Sequence, residues 1–202
     1  METNNLNKKI LLILIKDFTQ NHTITNLAKE LKITRTGIWK ILKKLEIQQL
    51  ITLNPLGKGK TSVYNIKLNW NQITEKTLSL YIMEESIKQA RWTSNFEELK
   101  NKVNFLILYG SIIHNQEKAN DIDILGIISN KEKFTKIEET INKIQKTQHK
   151  KIHAINFTPK EFQQELENKN KAFIESVKKG IILFGHDEFI KFMKNIQLKW
   201  TN

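Results

Sequence analysis

Hydrophobic residues recur at helical spacing three times within the first 50 residues. The first pattern covers residues 6–18, and the polar cluster at 19–23 ends it. A second helix is predicted after Thr25, which we expect to be its N-cap, and a third is predicted over 35–45 after the N-cap candidate Thr34. The apolar positions that predict these helices are Leu6, Ile10, Leu11, Ile13, Leu14 and Phe18, then Leu27, Ala28 and Leu31, and then Ile38, Ile41 or Leu42, and Leu45.

The pattern changes after Glu46 to one that is typical of a β-hairpin. Residues 50–53 and 62–66 are rich in strand-forming side chains, and the segment between them contains Pro, Gly and Lys. The sequence therefore predicts two strands that are joined by a basic turn.

Helical spacing returns between residues 71 and 103, with a second short helix predicted at 96–102 and Trp92 expected in the core or at an interface. The apolar run 105–109 then predicts a short buried strand that ends at Gly110 and Ser111. A glycine at this point permits a tight turn, and the serine that follows can offer its amide and its hydroxyl to a phosphate.

The length of the chain and the distribution of its charge indicate two domains. A chain of 202 residues suits two domains, which we place at 1–70 and 71–202 with a helical connection at 71–103. The formal net charge is +12, and an excess of Ile, Lys and Asn from AT-rich coding would account for part of it. Because the first 70 residues hold 12 Lys or Arg against 4 Asp or Glu, the positive charge is concentrated there and favours a nucleic-acid partner.

The apolar runs of the chain are short. The longest covers residues 10–15, well below the roughly 20 residues of a membrane span, and the N-terminus shows no secretory signal. We therefore expect a cytoplasmic protein without a membrane segment. The absence of Cys excludes a thiolate metal site and a cysteine nucleophile.

Two carboxylates interrupt an otherwise apolar segment ten residues after Ser111. Asp121 and Asp123 lie within a predicted strand, so that both side chains project from one face, about 7 Å apart along the backbone. Unpaired carboxylates on a buried strand are costly unless a cation or basic groups neutralise them, and their oxygens suit Mg²⁺ or Mn²⁺. In the alternative interpretation, Asp121 lies in a solvated loop and Asp123 makes local interactions.

The helices and hairpin of residues 5–68 resemble the winged helix-turn-helix family. In that family the second helix of the motif enters the major groove of DNA. The resemblance implies that double-stranded DNA contacts Arg35, Thr36, Lys40 and Lys43 on the helix and Lys58 and Lys60 on the wing. Trp39 either packs under the wing, which we favour, or contacts the sugar-phosphate backbone. Use of the motif for dimerisation or for docking on another protein is the alternative.

Residues 75–195 resemble the nucleotidyltransferase superfamily, in particular its minimal and polymerase β types. The resemblance rests on Gly-Ser at a strand end, on Asp-x-Asp in the next strand, and on a closing helix and strand within 173–185. It implies that Gly110 and Ser111 hold the triphosphate of an NTP and that Asp121 and Asp123 bind two divalent ions, Mg²⁺ or Mn²⁺. The predicted fold is α+β: a winged helix-turn-helix followed by an α/β nucleotidyltransferase domain with a small mixed sheet flanked by helices.

The chain departs from the family pattern in two places. Where the family has a small residue, a basic residue and Gly, this chain has Ile113, His114 and Asn115. The third carboxylate is also missing from the predicted strand 151–157. The residues at or near its expected place are His153, Asn156 and, beyond the strand, Glu161.

Two interpretations of function follow. In the first, the protein binds DNA and transfers a nucleoside monophosphate from an NTP to an unidentified acceptor. Minimal members of the family act as antitoxins that modify a partner toxin, so the resemblance implies a protein acceptor as one option. In the second, the protein is a transcriptional regulator whose nucleotidyltransferase fold senses a nucleotide or forms a homodimer without turnover. Both Asp residues favour the first interpretation, and the two departures favour the second.

Overall fold

Threonine side chains begin two of the first three helices. Thr23 accepts a hydrogen bond from the backbone N–H of Asn26, and Thr34 accepts one from that of Gly37. Thr34 is therefore confirmed as an N-cap, whereas the prediction for Thr25 is wrong, because Thr25 lies exposed in the first turn of the helix that Thr23 caps. In the computed structural model, which describes residues 2–57 and 63–199, these helices are α1 (Glu2–Lys16), α2 (Ile24–Leu31) and α3 (Arg35–Ile47).

Two antiparallel strands follow α3. They are β1 (Ile51–Pro55) and β2 (Tyr64–Leu68), with Leu53 opposite Ile66. Helix α4 (Gln72–Ile87) comes next, and the contacts between Cα atoms divide the chain into two units within it, Met1–Tyr81 and Ile82–Asn202. The core of the first unit includes all of the predicted apolar residues of α3: Ile38, Ile41, Leu42 and Leu45.

The second unit begins with short helical elements. The short helix predicted at 96–102 is present only as a 3-10 helix, Glu97–Leu99, and it is preceded by α5 (Ala90–Asn95), which was not predicted as a separate helix. Trp92 is buried, as expected. The remaining elements are β3 (Phe105–Tyr109), β4 (Asp121–Ile127), α6 (Phe134–Gln145), β5 (Lys151–Phe157), α7 (Pro159–Glu167), α8 (Lys171–Lys179), β6 (Ile181–Phe184) and α9 (His186–Lys199).

The strands of the second unit form a mixed sheet in the order β5-β4-β3-β6. Strand β3 is antiparallel to both of its neighbours, whereas β4 and β5 are parallel and are connected through α6. The predicted strand at 105–109 is confirmed, and so are the helix and strand within 173–185. This small mixed sheet with its helices is consistent with a nucleotidyltransferase fold.

Each face of the sheet packs against apolar side chains. On one face, alternate strand residues join a core with α5, α6 and nearby turns, which includes Trp92, Phe96, Leu106, Leu108, Ile122, Ile124, Ile137 and Ile152. On the other face, Phe105 packs edge-on against Phe189 of α9, and Phe157 packs against Phe162 of α7 and Phe173 of α8. Polar residues of β4 and β5 on this second face therefore stand beside an apolar layer.

None of the helices in the described part of the chain combines the length and the apolar composition that crossing a membrane requires.

Candidate metal and nucleotide site

Asp121 and Asp123 lie at the beginning of β4 and belong to the same face of the strand. Their side chains are 34% and 22% exposed, respectively. Ile122 and Ile124, which alternate with them, are buried in the core of the opposite face. The first four residues of the strand thus alternate between partly accessible carboxylates on one face and buried apolar side chains on the other.

His153 lies beside these carboxylates on the neighbouring strand β5. The parallel register of β4 and β5 pairs Asp123 with His153. The His153 Nδ1 atom lies 3.4 Å from Oδ2 of Asp121 and 3.6 Å from Oδ1 of Asp123. The three residues form a group of candidate metal ligands, with one donor atom of each lying within 4.8 Å of the others. From the sequence, His153 is only one of three candidates for the third position.

The two carboxylates repel each other electrostatically. Burial raises the pKa of Asp123, the charge of Asp121 raises it further, and His153 partly offsets both effects. A bound cation would favour the ionised form of Asp123 and remove this repulsion.

Tyr109 is a neighbour of this group that was not predicted from the sequence. It ends β3 and pairs with Asp123 across the two strands. Burial raises the pKa of Tyr109, and the charges of Asp123 and Asp121 raise it further. The phenol therefore keeps its proton at neutral pH and is available as a hydrogen-bond donor. The signal in the sequence is its position immediately before Gly110, and only the pairing of β3 with β4 places it on the same face as Asp121 and Asp123.

Gly110 forms the turn that brings the backbone close to Asp123. Its φ angle is 81°, in the region that favours glycine. A β-carbon at this position would also collide with the carboxylate of Asp123. The glycine that follows β3 is thus required for the close approach of the turn to the acidic residues.

Ser111 opens a 3-10 turn, Ser111–Ile113, and its side chain is exposed. His114 is exposed as well. The side chain of Asn115 accepts hydrogen bonds from the backbone N–H groups of Glu117 and Lys118, so this residue stabilises the turn that leads to β4. The loop before β4 is therefore stabilised by a side-chain-capped turn.

Lys150, which immediately precedes β5, forms hydrogen bonds with the end of the same loop. Its Nζ donates a hydrogen bond to the carbonyl oxygen of Glu117 at 3.3 Å and another to that of Ala119. This contact fixes the backbone just before Asp121. This contact was not predicted, because a lysine in a Lys-rich stretch carries no signal for it.

The two other candidates for the third position lie elsewhere. Glu161 forms a capping box with Thr158 at the N-terminus of α7, where its carboxylate accepts hydrogen bonds from the backbone N–H and the hydroxyl of Thr158. Asn156 belongs to the face of β5 opposite to that of His153, and it pairs with Gly126.

The donor set of the group fits a divalent cation. Carboxylate oxygens are the preferred ligands of Mg²⁺ and Mn²⁺, and imidazole nitrogen binds transition metals. Asp121, Asp123 and His153 would hold the ion, and the partial exposure of their side chains leaves room for further ligands from solvent or from a substrate.

In the first unit, cationic and polar side chains line one face of α3. Arg35, Thr36 and Lys40 are exposed. Lys43 is exposed too, but its Nζ forms an ion pair with Glu46 at 2.8 Å and lies 4.7 Å from the centroid of the Trp39 ring. The predicted wing residues, Lys58 and Lys60, lie outside the described residues.

The ring of Trp39 packs against Tyr64 of β2, with 5.3 Å between the ring centroids, which agrees with the favoured packing interpretation. Beside these rings lies a cavity of about 360 Å³. It is lined by Thr23, Ile24, Thr25, Arg35, Thr36, Trp39, Val63 and Tyr64. The exposed residues Arg35 and Thr36 of α3 therefore border a cavity that is partly aromatic.

Comparison with protein families gives one result for the second unit. Residues 93–188 match the family model described as "Polymerase beta, Nucleotidyltransferase", and the matched segment contains Gly110, both Asp residues and His153. Searches of curated proteins and of solved structures found no significant match. The family match supports a nucleotidyltransferase domain, for which NTP binding and the use of divalent metal ions are general properties.

Proposed function

We propose that the protein is a nucleotidyltransferase that moves a nucleoside monophosphate from an NTP to a hydroxyl group of an acceptor. The observation that carries this proposal is the convergence of Asp121, Asp123 and His153 beside the Gly110 turn, within the segment that matches the family. In this proposal the acceptor is a protein, such as a partner toxin, because the chain resembles the minimal nucleotidyltransferases.

In this proposal, the acidic residues and the turn have separate roles. Asp121 and Asp123 bind the divalent cation, Mg²⁺ or Mn²⁺, that accompanies the nucleotide. A divalent ion supplies charge neutralisation at the phosphates and lowers the pKa of the attacking hydroxyl. Gly110 and Ser111 bind the triphosphate, because the backbone can approach it closely at the glycine and the exposed Ser111 hydroxyl can donate a hydrogen bond. Tyr109 offers a neutral donor beside them.

The reaction is an in-line displacement at the α-phosphorus. The acceptor oxygen forms a bond to this phosphorus, the bond from it to the β-phosphate oxygen breaks, and pyrophosphate leaves. The hydroxyl proton passes to solvent. Protein groups contribute mainly by positioning and by electrostatic complementarity, which is how enzymes accelerate transfers at phosphorus in general.

The experiment supplies purified protein with Mg²⁺ or Mn²⁺ and each α-labelled NTP, alone and with cell lysate as a source of acceptor. We expect label to appear on one macromolecule and to decrease by about 10³-fold in the Asp121→Asn/Asp123→Asn variant. Label transfer that survives in this variant would contradict the assigned residues. No transfer with any NTP would contradict the enzymatic proposal.

A second candidate function is DNA binding by the first unit, alone or together with the transfer activity. It is supported by the exposed Arg35, Thr36 and Lys40 on a helix that follows a capped turn, and by the concentration of positive charge in the first 70 residues. If the transfer activity is absent, we propose that the protein is a transcriptional regulator with a non-catalytic nucleotidyltransferase fold. Its second unit would then sense a nucleotide or form a homodimer. Titration of labelled duplex DNA at several salt concentrations tests it, since phosphate contacts make the affinity fall as salt rises.

A further inference from the structure

The contacts between His153 and the two carboxylates are too long for good hydrogen bonds. A charge-assisted N–H···O bond measures about 2.7–2.9 Å. The Nδ1 atom of His153 lies 3.4 Å from Asp121 Oδ2 and 3.6 Å from Asp123 Oδ1, nearly equidistant from the two. The imidazole therefore faces both carboxylates without bonding tightly to either.

The two separations from His153 are compatible with atoms that bind one ion together, and the two carboxylate donor atoms lie within 4.8 Å of each other. Ligands that each lie about 2.1 Å from a cation are separated by about 3.0 Å at an octahedral angle and about 3.4 Å at a tetrahedral angle. The two distances from His153 are close to the tetrahedral value. Small side-chain movements, without a change of the strands, would bring the three donor atoms onto one ion.

The chemistry of the donor set distinguishes between cations. Mg²⁺ selects oxygen ligands and gives up its water reluctantly. Imidazole is a good ligand for first-row transition metals. In addition, a site with a neutral imidazole in place of a third carboxylate has one negative charge fewer with which to attract Mg²⁺. A site of two carboxylates and one imidazole therefore favours Mn²⁺, Co²⁺ or Zn²⁺ over Mg²⁺.

We infer that His153 is a metal ligand and that it makes the site of Asp121 and Asp123 selective for a first-row transition metal ion. This inference rests on the proposed metal-dependent function but not on turnover. It accounts for the place of His153 in the register of β4 and β5, directly beside Asp123. The side chain is 46% exposed on an edge strand, so a substitution there leaves the core unchanged.

The first measurement is pulsed electron paramagnetic resonance of the full chain loaded with Mn²⁺, without nucleotide. Directly bound nitrogen produces a ¹⁴N coupling to the manganese spin, and carboxylate oxygens produce none. We expect this coupling in the wild type and in the His114→Asn control, whose exposed imidazole lies in the loop before β4. We expect the coupling to disappear in His153→Asp and in His153→Asn.

The second measurement is a competition between Mn²⁺ and Mg²⁺, followed by calorimetry or by the signal of free Mn²⁺. In His153→Asp, which creates a site of three carboxylates, we expect the preference for Mn²⁺ over Mg²⁺ to fall by about tenfold or more. The His114→Asn control should keep the wild-type preference. Circular dichroism and thermal unfolding of each variant verify that its fold is intact.

The outcomes separate this inference from the proposed function. Binding of Mn²⁺ that requires both Asp residues but shows no nitrogen coupling would overturn the role of His153 and leave nucleotidyl transfer standing. Nitrogen coupling in a protein that transfers no label from any NTP would support the metal site and contradict the enzyme. Failure of Mn²⁺ to bind, or an unchanged metal preference in His153→Asp, would overturn the inference as well.

Discussion

In the second unit, three candidate metal ligands come from two adjacent strands and meet within 4.8 Å, whereas in the first unit the exposed polar residues follow one helix. Asp121, Asp123 and His153 depend on the register between β4 and β5. Arg35 and Lys40 depend only on the periodicity of α3. The first arrangement concentrates its chemistry at one point, and the second distributes it along a surface.

This difference predicts how each region responds to substitution. Displacement of one group in a convergent site disturbs all of its partners, because every ligand atom must reach the same ion. Removal of one cation from a helix face takes away only its own phosphate contact. Large, non-additive losses are therefore expected in the second unit and smaller, additive losses in the first.

Among single substitutions, the largest effect is expected for Gly110→Ala. The new methyl group would meet the Asp123 carboxylate and the residue would keep an unfavourable positive φ angle. We expect nucleotidyl transfer to fall by about 10²-fold or more, since a displacement of about 1 Å in a reacting site has this effect. Label transfer from α-labelled NTP measures it.

The control for this variant is Glu117→Ala, an exposed position in the same loop. It should retain most of the activity of the wild type. Equal losses in the two variants would show that the loop as a whole, and not the approach of Gly110 to Asp123, determines the activity.

An intermediate effect is expected on α3. Replacement of Arg35 or Lys40 by Ala should each weaken duplex DNA binding and reduce the slope of log affinity against log salt by about 1. Lys43→Ala should have a smaller effect, because this lysine already pairs with Glu46 and lies over Trp39. Fluorescence anisotropy over a range of salt concentrations measures both quantities.

Lys136→Ala serves as the matched control, because it removes an exposed lysine from α6 in the other unit. If it lowers the affinity and the slope as much as Lys40→Ala does, the assignment of DNA contacts to α3 is wrong.

The smallest effect concerns stability without metal. The folded state raises the pKa of Asp123, so its ionisation disfavours folding, and this loss of stability develops as the pH rises through the folded-state value. In EDTA at pH 7, Asp123→Asn should therefore be more stable than the wild type by about 0.5 kcal/mol, a modest value because solvent screens the partly exposed site. Near pH 3, where the wild-type carboxyl is protonated, the difference should vanish.

Urea unfolding at the two pH values measures this effect, with Glu138→Gln on the exposed side of α6 as the control. A destabilised Asp123→Asn protein at pH 7 would contradict the cost of burying the Asp123 charge beside that of Asp121. Restoration of equal stability by Mn²⁺ would support a bound cation as the group that relieves it.

Local features of the fold could be predicted from the sequence because their causes lie within a few residues. The apolar spacing of α3 predicted its buried face, Thr34 was identified as its cap, and the apolar run before Gly110 predicted β3. The predictions that differ from the structure also have local causes. Thr25 and Thr23 are both reasonable caps two residues apart, and the weak pattern after Trp92 did not separate α5 from the 3-10 turn that follows it.

Alternation along one strand was sufficient to place Asp121 and Asp123 on a common face. The third member of the group was decided by the tertiary structure alone. Parallel pairing of β4 with β5 through the α6 connection sets His153 beside Asp123, and a slip of one residue would turn the imidazole to the opposite face. Such a register depends on the packing of the whole sheet and its helices, so the residues near His153 could not specify it by themselves.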